Sequence, residues 1–182
     1  MTTSLAPICS YCNGTSVLAT GEDIYPHRED LHDLNFWKCP TCEDVYVGCH
    51  KAGAFVVKAN GDKIISDGTL PMGRLANAAL RRAKSDTHVM FDAIWKRREY
   101  DKQTRFAKRR ETYAWLAHKM NIAIDDCHIA MFTLEQCYEA MEHIRLYTQN
   151  AVDRRKGEIP TVASINAMLQ LEARYTPHHR RK

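Results

Sequence analysis

The spacing of hydrophobic and polar positions along this chain changes near residue 70. Before it, short runs dominate: Thr15 to Thr20, Asn35-Phe36-Trp37-Lys38 and Val45-Tyr46-Val47 each read as a strand bounded by turn residues. The first is expected to turn at Gly21-Glu22-Asp23 and pair back through Ile24-Tyr25 until Pro26 ends the ladder. Ala54 to Lys58 and Lys63 to Ser66 flank Asn60-Gly61, the dipeptide preferred in a tight hairpin turn, and predict a β-hairpin inserted at about 54–66.

From Pro71 the period becomes helical, with Leu75, Ala79, Leu80, Ala83, Phe91, Ile94 and Trp95 keeping one face apolar from Gly73 to about Arg97. A second helix is predicted from near Thr104 to Met120, with Phe106, Tyr113, Leu116, Ala117 and Met120 as its apolar set and Asn121 as a left-handed C-cap. A third starts at Thr133, where Thr133-Leu134-Glu135-Gln136 has the form of a capping box, and carries Cys137, Met141 and Ile144 on to about Asn150. Arg154 to Pro160 reads as a polar linker, Thr161 to Tyr175 as a fourth helix, and the residues beyond as a disordered tail. A helix-turn-helix around Tyr113 to Asn121 fails on geometry, because twelve residues separate Met120 from Thr133 and that motif turns in about 3–4.

These elements predict an α+β chain: a ribbon-like β region with its hairpin insertion over residues 1–70, a helical domain over 71–150, and a linker, additional helix and basic tail over 151–182. At 182 residues the chain can bury a modest core. No apolar run is long enough for a signal peptide or a membrane span, and seven cysteines, an odd number, fit reduced thiols better than a disulfide framework. The expectation is a cytoplasmic protein with no membrane partner.

Two Cys-x-x-Cys pairs, Cys9/Cys12 and Cys39/Cys42, carry the strongest chemical signal. Each pair places two sulfurs on one side of a metal from a tight turn, and four thiolates satisfy a tetrahedral Zn2+ with no position left open, so one structural zinc ion is predicted. The loop between the pairs is longer than the usual ribbon template. A redox site is the competing reading, but it needs a Cys-x-x-Cys motif opening a helix, and Pro40 is the only hint of that.

Charge is unevenly distributed. Residues 1–70 hold five basic against nine acidic residues, whereas 71–120 hold thirteen against five. Candidate nucleic-acid contacts are therefore Arg81, Arg82, Arg97, Arg98, Arg105, Arg109 and Arg110, an electrostatic footprint for phosphates with no base-reading signature. Solvated helix faces are the alternative for such runs.

In order along the chain, Cys9-Ser10-Tyr11-Cys12, Ile24-Tyr25-Pro26-His27-Arg28, Trp37-Lys38-Cys39-Pro40-Thr41-Cys42, Tyr46-Val47-Gly48-Cys49-His50, Gly73-Arg74-Leu75-Ala76-Asn77, Tyr113-Ala114-Trp115-Leu116-Ala117 and Cys127-His128-Ile129-Ala130-Met131-Phe132 follow a recognisable pattern. Together they resemble the zinc-finger-containing domain family of unknown function found in bacteria and their phages, over about residues 7–140. The resemblance implies a compact zinc-binding protein, often phage or prophage encoded, with Cys9, Cys12, Cys39 and Cys42 at the ligand positions and no catalytic residue. The chain departs from the pattern in its hairpin, at Asn121 and Ala130 where glycine is expected, and after about residue 150.

Two Cys-His dipeptides, Cys49-His50 and Cys127-His128, form a second constellation that would serve a second metal or a nucleophile and its base. Adjacent strand residues point to opposite faces, so packing by the cysteines and backbone hydrogen bonding by the histidines is the stronger reading. His27 is expected to hydrogen-bond within the Pro26 turn, Asp125-Asp126 to cap or solvate, and Trp37, Trp95, Trp115 and Tyr113 to pack in the core. The expected function is non-enzymatic: structural zinc in a protein whose basic helices engage nucleic acid. The alternative is an interaction factor, with the acidic ribbon and hairpin docking on a host machine or defence system.

Overall fold

Strand β1 (Val17–Thr20) pairs antiparallel with β2 (Asn35–Lys38), and β2 pairs antiparallel with β3 (Tyr46–Gly48), giving a three-stranded sheet in chain order. Here the computed structural model describes residues 6–57 and 63–155. The expected return through Ile24-Tyr25 does not occur. Asp23 accepts from both the backbone N–H and the hydroxyl of Thr20, at 2.8 and 2.9 Å, and winds Gly21–Ile24 into a single helical turn, α1. Asn35 becomes the partner of Thr20 instead. The aromatic rings of Tyr25, Phe36 and Tyr46 meet edge-on at 5.7–6.0 Å and close one side of the sheet.

The hairpin forms as β4 (Phe55–Val57) against β5 (Lys63–Ile65), with Phe55 opposite Ile65; its Asn60-Gly61 turn lies outside the described residues. The chain leaving it is stitched to β2, since Trp37 Nε1 donates to Thr69 O at 2.7 Å and Asn35 Nδ2 to Gly68 O at 2.9 Å.

Helix α2 (Ala78–Trp95) starts later than its apolar period indicates. Leu75 and Ala76 are buried, but Ala76 exchanges backbone hydrogen bonds with Tyr46 at 3.1 and 3.2 Å, so this stretch is extended against β3. Asn77 then caps the helix by accepting from Leu80 N. Helix α3 (Lys102–Lys119) is capped by Asp101, which accepts from Thr104 N at 2.7 Å. It ends in a Schellman motif: Ile122 N–H reaches Ala117 O and Asn121 N–H reaches His118 O, with Asn121 at φ 51°. The same left-handed angle is why glycine suits that position. Helix α4 (Leu134–Arg155) opens on the predicted box, with Thr133 N–H donating to Gln136 Oε1 and Gln136 N–H to Thr133 Oγ1.

The helical core joins Leu80, Ala83 and Phe91 of α2, Tyr113, Leu116 and Ala117 of α3, Ile129 and Phe132 of the following turn, and Cys137, Ala140 and Ile144 of α4. Phe106 does not join it: the residue is 60 % exposed. A smaller core of Cys9, Cys39, Val45 and Leu75 lies within the cysteine knuckles. The class is α+β, with the strands and cysteines N-terminal to the helices. The chain divides into two compact units, Met1–Ile144 and Arg145–Lys182. The second contributes the last turns of α4, while the predicted linker beyond Arg155, the helix at Thr161 to Tyr175 and the basic tail lie outside the described residues. Among the described residues no helix is long and apolar enough to cross a membrane.

Gly73 lies so close to the turn before α4 that a Cβ there would stand 2.4 Å from Ala130 O. Gly73→Ala is expected to cost about 1–3 kcal/mol, read as a lower denaturant midpoint at unchanged m. An unchanged midpoint would refute the close approach.

Candidate metal centre

The register of the sheet builds the site. Val17, which opens β1, lies opposite Lys38, which closes β2, so the knuckle before β1 and the knuckle after β2 emerge at the same end. The long connection between Cys12 and Cys39 is therefore no obstacle, because most of it loops out at the other end.

Each knuckle is a turn held by its own backbone. Cys9 N–H donates to Gly14 O and Asn13 N–H to Cys9 O, with Asn13 left-handed at φ 58°. Cys39 N–H donates to Val45 O, and Asp44 is left-handed at φ 55°. Asparagine and aspartate tolerate that region better than most residues. Gly14 leaves room for sulfur, since a Cβ there would sit 3.3 Å from Cys12 Sγ.

The four sulfurs lie within 4.8 Å of one another, with Cys12 to Cys39 at 3.5 Å and Cys9 to Cys42 at 4.0 Å. A tetrahedron with Zn–S bonds of about 2.3 Å has edges of about 3.8 Å, so the cluster has the dimensions of a zinc site. Cys9 and Cys39 are buried, Cys42 is half-buried and Cys12 is exposed. The Cys42 amide donates to Cys39 Sγ at 3.2 Å and draws that thiol down to about 7, whereas the Cys12 sulfur beside Cys42, followed by burial, pushes Cys42 up to about 12. Four thiolates this crowded cannot ionise together without a cation, which is the condition a divalent metal relieves. Among the described residues no fifth ligand atom joins the four sulfurs, and a four-cysteine donor set is that of a closed, structural site.

Both knuckles are fastened to the first turns of α2. Tyr11 Oη, inside the first Cys-x-x-Cys, accepts from Asn77 N–H at 3.3 Å. Beside the second, Arg81 Nη2 donates to both Asp44 carboxylate oxygens at 2.7 and 2.8 Å, while Nη1 donates to Asp44 O and Ala76 O. The guanidinium also lies 3.8 Å over the Tyr46 ring. None of these contacts was legible in the sequence, because Arg81 and Asp44 are separated by 37 positions.

This is a small zinc-knuckle domain carried on helices. The sequence profile of a zinc-finger-containing domain family matches residues 5–147, and the chain belongs to that family. No curated protein and no solved structure matches it.

The remaining site residues are placed as follows. Among the described residues, the four cysteines are the only group of three or more potential ligands whose atoms converge, so Cys49, His50, Cys127 and His128 do not gather around one ion. Burial, with a smaller contribution from Asp67, pushes Cys49 up to about 11, and burial alone pushes Cys127 to about 11; both are neutral packing thiols at neutral pH. His32, not His27, reaches Pro26 O, at 3.3 Å. In the first basic run, Arg81 is committed to Asp44, and Lys84 donates to Ala130 O at 2.7 Å. Arg82 lies 4.0 Å from Asp86, and Arg97 lies 3.9 Å from Glu99. Arg105 donates to the carbonyls of Arg97 and Arg98, Arg109 lies 5.0 Å over the Tyr113 ring, and Arg98 and Arg110 are exposed.

Purified protein is expected to carry one zinc per chain and to lose it with Cys39→Ser, as measured by a colorimetric chelator. Because protons compete for the sulfurs, release should increase as pH falls and capture should increase as it rises. Arg81→Ala should keep the zinc stoichiometry but lower stability by about 1–2 kcal/mol, since it removes a bidentate, half-buried clamp. Loss of zinc with intact folding would instead show that the clamp supports the metal directly.

Proposed function

We propose that this is a non-enzymatic, structural-zinc protein that binds nucleic acid through phosphates at the turn between α2 and α3. The observation that supports it is the surface left after the inward-turned cations are set aside. With Arg105 and Arg109 set aside, Lys96, Arg97, Arg98, Lys102, Lys108 and Arg110 remain between Lys96 and Arg110, against Glu99 and Asp101 in the same stretch. Such a stretch repels itself and gains from a polyanion by counterion release.

Within it Phe106 is 60 % exposed, one helical turn from both Lys102 and Arg110. An exposed aromatic among cations is a base-stacking platform, worth about 1–3 kcal/mol per base, and favours single strands. The zinc knuckles hold the start of α2 and take no part in contacting the nucleic acid.

Fluorescence anisotropy with single-stranded DNA and RNA over a salt series tests this. Log affinity should fall linearly with log salt, and Arg98→Glu/Arg110→Glu should lower the slope by about 1–2. Phe106→Ala should weaken binding about tenfold with the slope kept. No binding at low salt would remove the reading.

A second reading has its own support. Phe55 and Ile65 face each other across the hairpin and are 75 % and 64 % exposed, a small apolar patch fit for docking on a protein of a bacterial or phage-infected cell. Capture that survives nuclease and is lost in Phe55→Ser/Ile65→Ser would favour it.

A further inference from the structure

The four sulfurs of the metal centre differ in what can reach them. Cys12 is exposed and Cys42 half-buried, while Cys9 and Cys39 are buried. A reagent arriving from solvent therefore meets Cys12 first. Its Sγ lies 3.5 Å from that of Cys39, and Cys9 Sγ lies 4.0 Å from that of Cys42. Both contacts run from one knuckle to the other.

We infer that Cys12 is a modification site for peroxides with Cys39 as its resolving thiol, and that oxidation exchanges the zinc ion for a disulfide between the two knuckles. The inference rests on the structural zinc site and is independent of nucleic-acid binding. A sulfur that coordinates a divalent ion is a thiolate, which is the form that attacks a peroxide.

The two sulfurs complete the reaction between them. Cys12 attacks one oxygen of hydrogen peroxide, the O–O bond breaks, hydroxide leaves and a sulfenic acid remains on Cys12. The Cys39 thiolate then attacks the Cys12 sulfur, so that the S–S bond forms as the S–O bond breaks and a second hydroxide leaves. One peroxide takes two electrons from two sulfurs and, with two protons from solvent, ends as two waters. Two donors, Cys9 and Cys42, are then left where a structural zinc site needs four.

The geometry favours a bridge between the knuckles over one inside either Cys-x-x-Cys pair. The sulfurs of Cys12 and Cys39 have to close by about 1.5 Å to reach disulfide bond length. The turns themselves stay held by backbone bonds from Cys9 N–H to Gly14 O and from Cys39 N–H to Val45 O. A bridge spanning 27 positions also removes far more freedom from the unfolded chain than one between neighbours in a Cys-x-x-Cys pair. The bonds from Tyr11 to Asn77 and from Asp44 to Arg81 involve no sulfur, so the start of α2 keeps its anchors when the ion leaves. Cys49, Cys127 and Cys137 are buried and stand outside the cluster, and they serve as internal controls.

The test treats the zinc-loaded full chain with hydrogen peroxide. A colorimetric chelator follows the metal, dimedone traps sulfenic acid, and peptide mapping without reduction locates the bridges. About one zinc should be released per peroxide consumed. Dimedone should label Cys12 at least about tenfold more than Cys49, Cys127 or Cys137. The map should show Cys12 joined to Cys39, and dithiothreitol should restore zinc capture. A bridge inside either Cys-x-x-Cys pair, a first adduct on Cys42, or full retention of zinc after one equivalent of peroxide is consumed would each overturn the assignment.

Thermal unfolding separates exchange from damage. Oxidised, zinc-free protein should unfold at a higher temperature than reduced protein stripped by chelator. An equal or lower temperature would overturn the bridge as a substitute for the ion. Protein that carries no zinc before oxidant is added would remove the structural-zinc reading, and the same peptide map would still decide between the Cys12–Cys39 bridge and the others.

Discussion

Four sulfurs within 4.8 Å set the terms for everything N-terminal to α2. The strands beside them are four, four and three residues long, too short to be stable by themselves, and the core inside the knuckles consists of Cys9, Cys39, Val45 and Leu75. Metal binding free energy is folding free energy in such a case. The same end of the sheet passes that order onward through Tyr11 and Asp44 to Asn77 and Arg81. Zinc therefore positions the start of a long helix as well as a loop.

The basic segment divides according to what its side chains touch. Arg81 and Lys84 satisfy backbone carbonyls and a carboxylate, and are structural cations. Arg105 reaches the carbonyls of Arg97 and Arg98 and closes the turn between α2 and α3. What remains outward is concentrated at the α2–α3 turn. Formal charge counts cannot make this distinction, because they weigh a buried guanidinium and a solvated one equally.

Features set by local chemistry were legible in the sequence. The Thr133 capping box, the Asn121 cap and the hairpin between Ala54 and Ser66 depend on residues a few positions apart. Features set by distant contacts were not. Leu75 and Ala76 continue a helical period but are held extended by Tyr46, and Phe106 fits the apolar stripe of α3 yet faces solvent. The return of β1 was misplaced because a four-residue cap at Thr20 outcompeted a turn at Gly21. At the sulfur site, residue identity was plain from spacing, whereas the straps to α2 have no local signature.

The alignment of Val17 with Lys38 makes the chain leave β1 and enter β2 at the pole of the sheet opposite the cysteines. Chain length at that pole is decoupled from coordination geometry. Residues added or removed at that turn would leave the sulfur geometry untouched, so the number of residues between the two Cys-x-x-Cys pairs is not set by the ion they hold.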